Sequence, residues 1–193
     1  MRRDSMTIGR VAHRAAVSAV LVIGGFALAA VSWGVRADSK AVARGKYLVM
    51  VGGCSDCHTP GHLIGHPDNS KFLGGSDVGF AIPGLGVFPG RNLTPDKETG
   101  LGSWTTEQIA TAITRGKRPD GRTLAPAMPW AALAGLTRYD ARAIAAYLKS
   151  LPPVNNKVAG PFGPDDKPTV LVISVQPGEV YSGLPKPPAP PAK

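Results

Sequence analysis

Cysteine is scarce in this chain. The 193 residues contain two cysteines, three positions apart in the segment GGCSDCHTPG at 52–61. A structural zinc site usually needs four ligands, commonly two cysteine pairs or a cysteine pair followed by a histidine pair. A secreted protein that depends on disulfides usually carries several bridges between more distant residues. The low cysteine count therefore argues against a zinc site and against a disulfide framework.

Aromatic residues and negative charges are also few. Aromatics make up 6% of the chain, and 13 acidic residues face 22 basic ones, for a net charge of +9. The first 37 residues contribute +4 of this through five arginines and one aspartate, which leaves a mild +5 for the rest. No basic run is interleaved with aromatics, so the sequence predicts no nucleic-acid interface.

The two cysteines belong to the pentapeptide Cys54-Ser-Asp-Cys57-His58. One helical turn would place both sulfurs on one face, where they can form thioethers with the two vinyl groups of a haem, while His58 presents its imidazole to the iron. A thioredoxin-like redox site has the same cysteine spacing but follows an apolar strand, and this motif follows glycines. A disulfide between the two thiols is the remaining alternative. We predict one covalently bound haem c, attached at Cys54 and Cys57.

The N-terminal segment predicts export. Four arginines precede an uncharged run from Ala15 to Val35, and Val35-Arg36-Ala37 suits a signal peptidase. The run is longer than the usual h-region of about 7 to 15 residues and reaches the roughly 20 residues that span a bilayer. We predict a signal peptide over 1–37, with a retained membrane anchor as the alternative. Because positive charge stays inside, the rest of the chain is expected in the periplasm in either case.

Residues 38–154 predict an all-α domain of three to four short helices and long loops. The first helix is expected over 40–52, with Tyr47, Leu48 and Val51 apolar. Residues 59–90 contain eight glycines and four prolines, which predicts a long loop. Because so few helices bury little surface, the haem would supply much of the core.

Two further helices have clear end signals. Thr105 and Gln108 form a capping-box pattern, and Gly116 ends that helix. Thr137 caps the next helix, which is predicted to run to Leu151, where a proline pair stops it.

Met128 is the candidate for the sixth ligand of the iron. It lies between Pro126 and Pro129, which predicts a stiff extended segment. A thioether favours ferrous iron and raises the reduction potential, as in electron-carrying cytochromes. The alternative is that Met128 fills the core between two helices.

The other candidate ligands have weaker positions. Met50 lies one turn before Cys54, on the His58 side of the haem, so we expect it in the core. His62 and His66 would give a bis-histidine haem of lower potential, but both follow His58 closely in a predicted loop. Their alternative role is that of surface residues.

The densest basic stretch is RGKRPDGR at 115–122. It predicts a solvated turn around Pro119-Asp120-Gly121. The alternative is a docking patch for an acidic redox partner, in which Arg118 and Arg122 would take part.

Together with the haem motif, several further segments resemble those of known proteins. These segments are FLGG at 72–75, RNLTPDKETGLGSW at 91–104, RPDGRTLAPAMPW at 118–130 and YLKSLPPV at 147–154. Over about residues 40–154 the chain resembles class I c-type cytochromes, and in particular one haem module of the cytochrome subunits of membrane-bound bacterial alcohol, aldehyde and gluconate dehydrogenases. Such subunits usually carry three haem motifs, whereas this chain has one.

The resemblance implies a cytochrome c-like fold and several residue roles. His58 and Met128 would be the axial iron ligands, and Asn92 and Trp104 would lie close to the haem. Without the resemblance, each residue has an equally good alternative interpretation. Asn92 would form a turn, and Trp104 would be the apolar residue before a helix cap.

The expected function is electron transfer without substrate chemistry, so we expect no catalytic residues. A periplasmic mono-haem cytochrome would pass single electrons between a dehydrogenase-type donor and a respiratory acceptor, with membrane association only through its N-terminal segment. The alternative is a haem-based sensor or a peroxidase-like protein with an open or displaceable sixth ligand.

Residues 155–193 form a proline-rich tail. Its apolar run VLVISV at 170–175 is too short to cross a membrane and is predicted as a strand docked on the haem domain or on a partner. The final KPPAPPAK predicts a disordered polyproline segment.

Overall fold

The structure is a computed structural model that describes residues 39–183. The predicted export signal and the KPPAPPAK segment lie outside these residues. Within 39–183 no helix combines the length and apolar composition needed to cross a bilayer. The helices are α1 (39–51), α2 (Cys54–His58), α3 (Thr106–Arg115), α4 (Trp130–Leu133), α5 (Arg138–Ser150) and α6 (Gly178–Ser182). Short 3₁₀ turns span His62–Ile64 and Asn69–Lys71.

Helices α1 and α5 meet at Gly45. A Cβ atom at this position would lie 1.9 Å from the carbonyl oxygen of Ala143 and 2.8 Å from the Cβ of Tyr147. Only glycine lets the two backbones approach this closely. Val49, one turn further along α1, is buried in the core cluster that contains Ile144 and Tyr147 of α5. The line from Gly45 to Val49 is therefore the buried face of α1.

This face differs from the one that the sequence predicted. Tyr47, Met50 and Val51 are all more than half exposed, so the expectation that Met50 packs in the core is wrong. The pattern of apolar residues does not reveal Gly45. Its lack of a side chain allows the close contact between α1 and α5. Only Leu48, of the predicted apolar residues, is partly buried against the core.

The ends of α3 and α5 confirm the predicted signals. The Thr105 hydroxyl accepts a hydrogen bond from the Gln108 amide, and the Gln108 side chain accepts one from the Thr105 amide. Gly116 ends α3 in the left-handed conformation, at φ 64°. Thr137 caps α5 by accepting from the amide of Asp140. Each of these caps forms between residues a few positions apart, and the tertiary contacts of the fold leave them in place.

A small sheet corrects the all-α prediction. The segment predicted as a long loop contains β1 (Val78–Ile82) and β2 (Gly86–Pro89), paired antiparallel. From the tail, β3 (Leu171–Ile173) pairs parallel with β1, which gives the order β2-β1-β3. Of the glycines and prolines that argued against regular structure, Pro83 and Gly84 lie in the turn of this hairpin, and Gly86 and Pro89 are the ends of β2.

The buried core lies between α1, α3 and α5. Seven side chains form it: Val49, Leu73, Ile109, Ile144, Ala145, Tyr147 and Leu148. Leu73 is the one member from outside the helices, and it is fully buried with a left-handed backbone at φ 57°. The loop that follows the cysteine motif is therefore tied into the helical core.

Candidate haem site

The cysteine motif forms the one-turn helix α2. Its first residue follows Gly53, which is left-handed at φ 61° and separates α2 from α1. A Cβ atom at Gly53 would lie 3.0 Å from a carboxylate oxygen of Asp56. One turn separates Cys54 from Cys57, so both thiols project from one side of the helix. Both are free and half-buried.

His58 ends this helix and is oriented by a long-range hydrogen bond. Its Nδ1 lies 2.6 Å from the carbonyl oxygen of Arg91. A carbonyl only accepts, so Nδ1 carries the proton and Nε2 keeps the lone pair that a metal needs. Burial lowers the pKa of His58, although the Arg91 carbonyl opposes this shift. The imidazole is therefore held neutral and in the tautomer suited to ligation through Nε2.

Two glycines bring backbone close to this helix. The amide of Gly75 donates to the His58 carbonyl at 2.8 Å. At Gly90, a Cβ atom would lie 1.7 Å from the Cys57 carbonyl oxygen and 3.3 Å from Nδ1 of His58. No side chain fits at Gly90, so the segment that follows β2 and carries the Arg91 carbonyl passes directly against α2.

The cysteine environments do not favour thiolate chemistry. Burial raises the pKa of the Cys54 thiol, and burial followed by the charge of Asp56 raises the pKa of the Cys57 thiol. Reactive redox cysteines need the opposite shift. The raised pKa values of both thiols therefore do not support the hypothesis of a thioredoxin-like redox site.

The residues present fit a covalently attached haem. Two unbridged thiols share one helical turn, and the adjacent imidazole is neutral with a free Nε2. Within residues 39–183, no group of three His, Cys, Asp or Glu side chains could hold a metal ion, so a cluster of zinc type is not formed there. Thioether attachment with one imidazole ligand matches the donor set.

Met128 lies in a turn, which corrects the predicted extended segment. Its amide donates to the Ala125 carbonyl at 2.9 Å, so the chain reverses through Pro126. The fixed φ of proline suits the second position of such a turn. The side chain is half-buried. Its role as an iron ligand stays a prediction.

Trp130 and Gly116 connect this turn to α3. A Cβ atom at Gly116 would lie 2.6 Å from the Trp130 ring, so the indole packs on the glycine that ends α3. The amide of Leu124 donates to the Gly116 carbonyl at 2.7 Å. We call residues 124–136 the Met loop.

Asn92 is 2% exposed and uses all of its amide group. Its Oδ1 accepts from the amide and the hydroxyl of Thr94, and its Nδ2 donates to the Thr99 hydroxyl and the Val154 carbonyl. The bond from the Thr94 amide is the turn-forming interaction expected of asparagine. Its proximity to the haem stays a prediction.

Trp104 packs partly against the helical core, directly before the cap of α3. The guanidinium of Arg118 lies 5.5 Å above its ring, a cation–π contact. Trp104 therefore links the core to the basic turn, and its proximity to the haem also stays a prediction.

The basic turn and the loop histidines have charged neighbours. Asp120 lies 3.3 Å from Arg118 and 2.7 Å from Arg122. Hydrogen bonding from Arg122 is the main reason that the pKa of Asp120 falls to about 2. His62 lies 3.3 Å from Asp56 of α2, whereas His66 lies exposed in the loop that follows. Partner docking and the rival histidine ligands stay predictions.

Sequence reasoning missed three residues at this site: Gly75, Gly90 and Arg91. Gly75 closes the FLGG segment and Arg91 opens RNLTP, so both lay inside segments already singled out for their resemblance. Their function depends on contacts across 17 to 33 positions. No local pattern carries that information.

Known proteins match the region that contains these contacts. The sequence model of the cytochrome c family matches residues 42–152, more than half of the chain. The chain belongs to the cytochrome c family. Members of this family bind haem covalently, and the free thiols of α2 and the orientation of His58 agree with such attachment.

Similar proteins include cytochrome subunits of dehydrogenases. The fructose dehydrogenase cytochrome subunit of Gluconobacter japonicus is 37% identical over 113 residues, which cover 58% of this chain and 21% of that protein. The gluconate 2-dehydrogenase cytochrome c subunit of Pantoea cypripedii is 35% identical over 127 residues, which cover 66% and 26%. A diheme cytochrome c-type protein of Cereibacter sphaeroides is 36% identical over 140 residues, which cover 69% and 44%. The match thus spans less than half of each relative.

Proposed function

We propose that this chain is an exported mono-haem cytochrome c that passes single electrons from a dehydrogenase-type donor to a respiratory acceptor. Its two cysteines form a single Cys-x-x-Cys-His motif. The observation that carries the proposal is the 2.6 Å contact from His58 Nδ1 to the Arg91 carbonyl beside two free thiols. The chain positions the cofactor and exchanges electrons without transforming a substrate.

In this proposal Cys54 and Cys57 hold the haem, and His58 and Met128 are its axial ligands. A haem supplies one-electron chemistry when bound. The neutral thioether of Met128 would favour the ferrous state, and His58 would be oriented through Nδ1. Asn92 and Trp104 would support the loops around the cofactor.

A single haem cannot relay electrons over a long distance alone, so partners must continue the path. The dehydrogenase subunits similar to this chain suggest the class of donor. The basic turn at 115–122 is the proposed contact for an acidic partner, since four cations face one aspartate there. Charge reversal of Arg118 and Arg122 tests this contact. A rate of reduction by the partner that stays unchanged and insensitive to salt would contradict it.

The test of the ligand pair is the visible spectrum of the oxidised, haem-loaded protein. We expect the weak red-edge band of methionine sulfur bound to ferric iron, and we expect Met128→Ala to abolish it. Met50→Ala is the matched control, because Met50 is exposed on α1 and should leave the band intact.

Persistence of the band in Met128→Ala would overturn the assignment of the sixth ligand. A high-spin wild-type spectrum with ready binding of carbon monoxide would favour the sensor or peroxidase-like alternative. The structure gives that alternative one specific point of support, since α4 in the Met loop has no buried residue. A ligand on such a segment is easier to displace than one in the core.

A further inference from the structure

The side chain of Arg91 reaches a part of the chain beyond the cytochrome c match. Its Nη1 donates to the carbonyls of Val158, Ala159 and Gly160, at 3.1, 3.3 and 2.9 Å. The carbonyl of the same residue accepts from Nδ1 of His58. Arg91 therefore touches the candidate ligand with its backbone and the tail with its guanidinium.

The tail crosses the haem-motif side of the domain as a continuous strap, which we define as residues 154–173. It begins where the amide of Val154 donates to the Thr94 hydroxyl. Asn156 then donates to the Gly74 carbonyl at 2.8 Å. Phe162 and Val87 exchange two backbone hydrogen bonds of 2.9 Å, and β3 completes the sheet beside β1.

The strap also contacts the second backbone partner of His58. Val158 is buried, and a Cβ atom at Gly75 would lie 2.1 Å from its Cγ2. Gly75 is the residue whose amide donates to the His58 carbonyl. Arg91, which accepts from His58, and Gly75, which donates to it, are thus both in contact with the strap.

The guanidinium of Arg91 is half-buried, and burial disfavours its charged form. Burial is the main cause that lowers its pKa, and the charges of Arg118 and Arg122 add to the effect. Within residues 39–183, no acidic side chain forms an ion pair with Arg91. Three backbone carbonyls accept its hydrogen bonds instead. Removing these carbonyls would leave a half-buried cation without compensation.

We propose that Arg91 is a positioning residue through which the strap orients His58. The hydrogen bond at Nδ1 makes the imidazole a stronger electron donor. When the strap is loosened, the Arg91 carbonyl moves, this bond weakens, and the ferric state loses stabilisation. The reduction potential then rises. The inference rests on the proposed function, in which His58 binds the iron.

The test uses the full-length, haem-loaded protein with Arg91→Met and, as the matched control, Arg122→Met. Each variant removes one cation, but Arg122 is exposed and bonds to Asp120 rather than to the strap. In the ferrous protein, NMR measures hydrogen exchange at His58 Nδ1 and at the amides of Val87 and Phe162. We expect exchange about tenfold faster at all three positions in Arg91→Met, equivalent to about 1.4 kcal/mol, and a higher potential than in the control.

Two further variants keep the proposal falsifiable if Arg91→Met does not fold. Arg91→Lys retains the charge but loses the planar guanidinium, and we expect a partial effect. Val158→Ala loosens the strap from the other side, and His58 exchange should rise with that of Phe162. Unchanged His58 exchange in Arg91→Met or in Val158→Ala, despite faster exchange at Phe162, would overturn the inference.

Failure of the proposed function would look different. If His58 does not bind haem iron, its ring protons in the wild-type protein lack the upfield shift that a haem ring current causes. That result is visible before any variant is made. A shifted His58 with exchange insensitive to the strap contradicts only the role of Arg91.

Discussion

The His58 side and the Met loop hold the two candidate ligands in very different ways. His58 is oriented by the Arg91 carbonyl and the Gly75 amide, with Gly90 packed against its helix. Met128 lies in a turn closed by one local hydrogen bond, beside a helix without buried residues. Several distant segments position one candidate ligand, whereas the other is positioned by its own loop and by the contact of that loop with the end of α3.

In the proposed function, this difference would separate permanent attachment on the His58 side from adjustable ligation by Met128. A site held by several long-range contacts opens only when much of the domain unfolds, whereas a surface loop opens locally. Substitutions on the His58 side should therefore affect folding. Substitutions in the Met loop should affect the candidate ligand Met128 while the fold persists.

The largest effect is expected on removal of both thiols. In Cys54→Ala/Cys57→Ala the covalent haem is lost, and with it much of the apolar surface that a small domain can bury. We expect loss of most of the helical circular-dichroism signal. Cys54→Ala alone keeps one thioether and should be intermediate. A native-like helical spectrum in the double variant without haem would refute this expectation.

An intermediate effect compares one glycine from each region. Gly90→Ala places a methyl group 1.7 Å from the Cys57 carbonyl, so backbone must move. We expect a loss of about 3 kcal/mol in the free energy of unfolding, at the upper end for steric overpacking. Gly135→Ala in the Met loop meets its nearest neighbour at 4.0 Å, so a change within about 0.5 kcal/mol is expected.

Denaturant unfolding of the two haem-loaded variants measures this difference. Equal destabilisation by both substitutions would remove the contrast between the regions. A stable Gly90→Ala would mean that α2 and the strand before Arg91 do not pack as closely as described.

The smallest effect is expected at the exposed Asp120 in the basic turn. Arg122 holds the pKa of this carboxyl at about 2, below the ordinary aspartate value of 3.8. A depressed pKa in the folded state stabilises the protein above pH 3.8, and this contribution is lost as the pH falls through about 2. Asp120→Asn should lower the melting temperature slightly at pH 7 and not at all below pH 2. Thermal melts at both pH values measure the effect, and a difference that persists in acid would contradict the ion-pair origin.

Predictions from the sequence succeeded where the determining contacts are local. The Thr105 capping box closes over three residues, and Gly116 ends α3 through its own backbone conformation. The spacing of Cys54 and Cys57 likewise requires only one helical turn. In each case the chemistry of a few adjacent residues outweighs the rest of the fold.

Predictions failed where a distant partner decides. The hairpin at 78–89 was missed because glycine and proline argue against strands, yet β3 pairs with β1 from more than 90 positions away. The buried face of α1 was misplaced because Gly45 packs through the absence of a side chain. Pattern counting gives no weight to an absent side chain or to a partner far along the chain.

The sequence by itself determined the candidate haem-attachment motif, the helix caps and the candidate ligands, since each depends on residue type and on spacing of a few positions. Only the tertiary structure decided which carbonyl orients His58 and where the tail lies. Those contacts join residues 33 and 69 positions apart. They form because folding brings glycine-lined backbone segments within hydrogen-bonding distance, which no local pattern specifies.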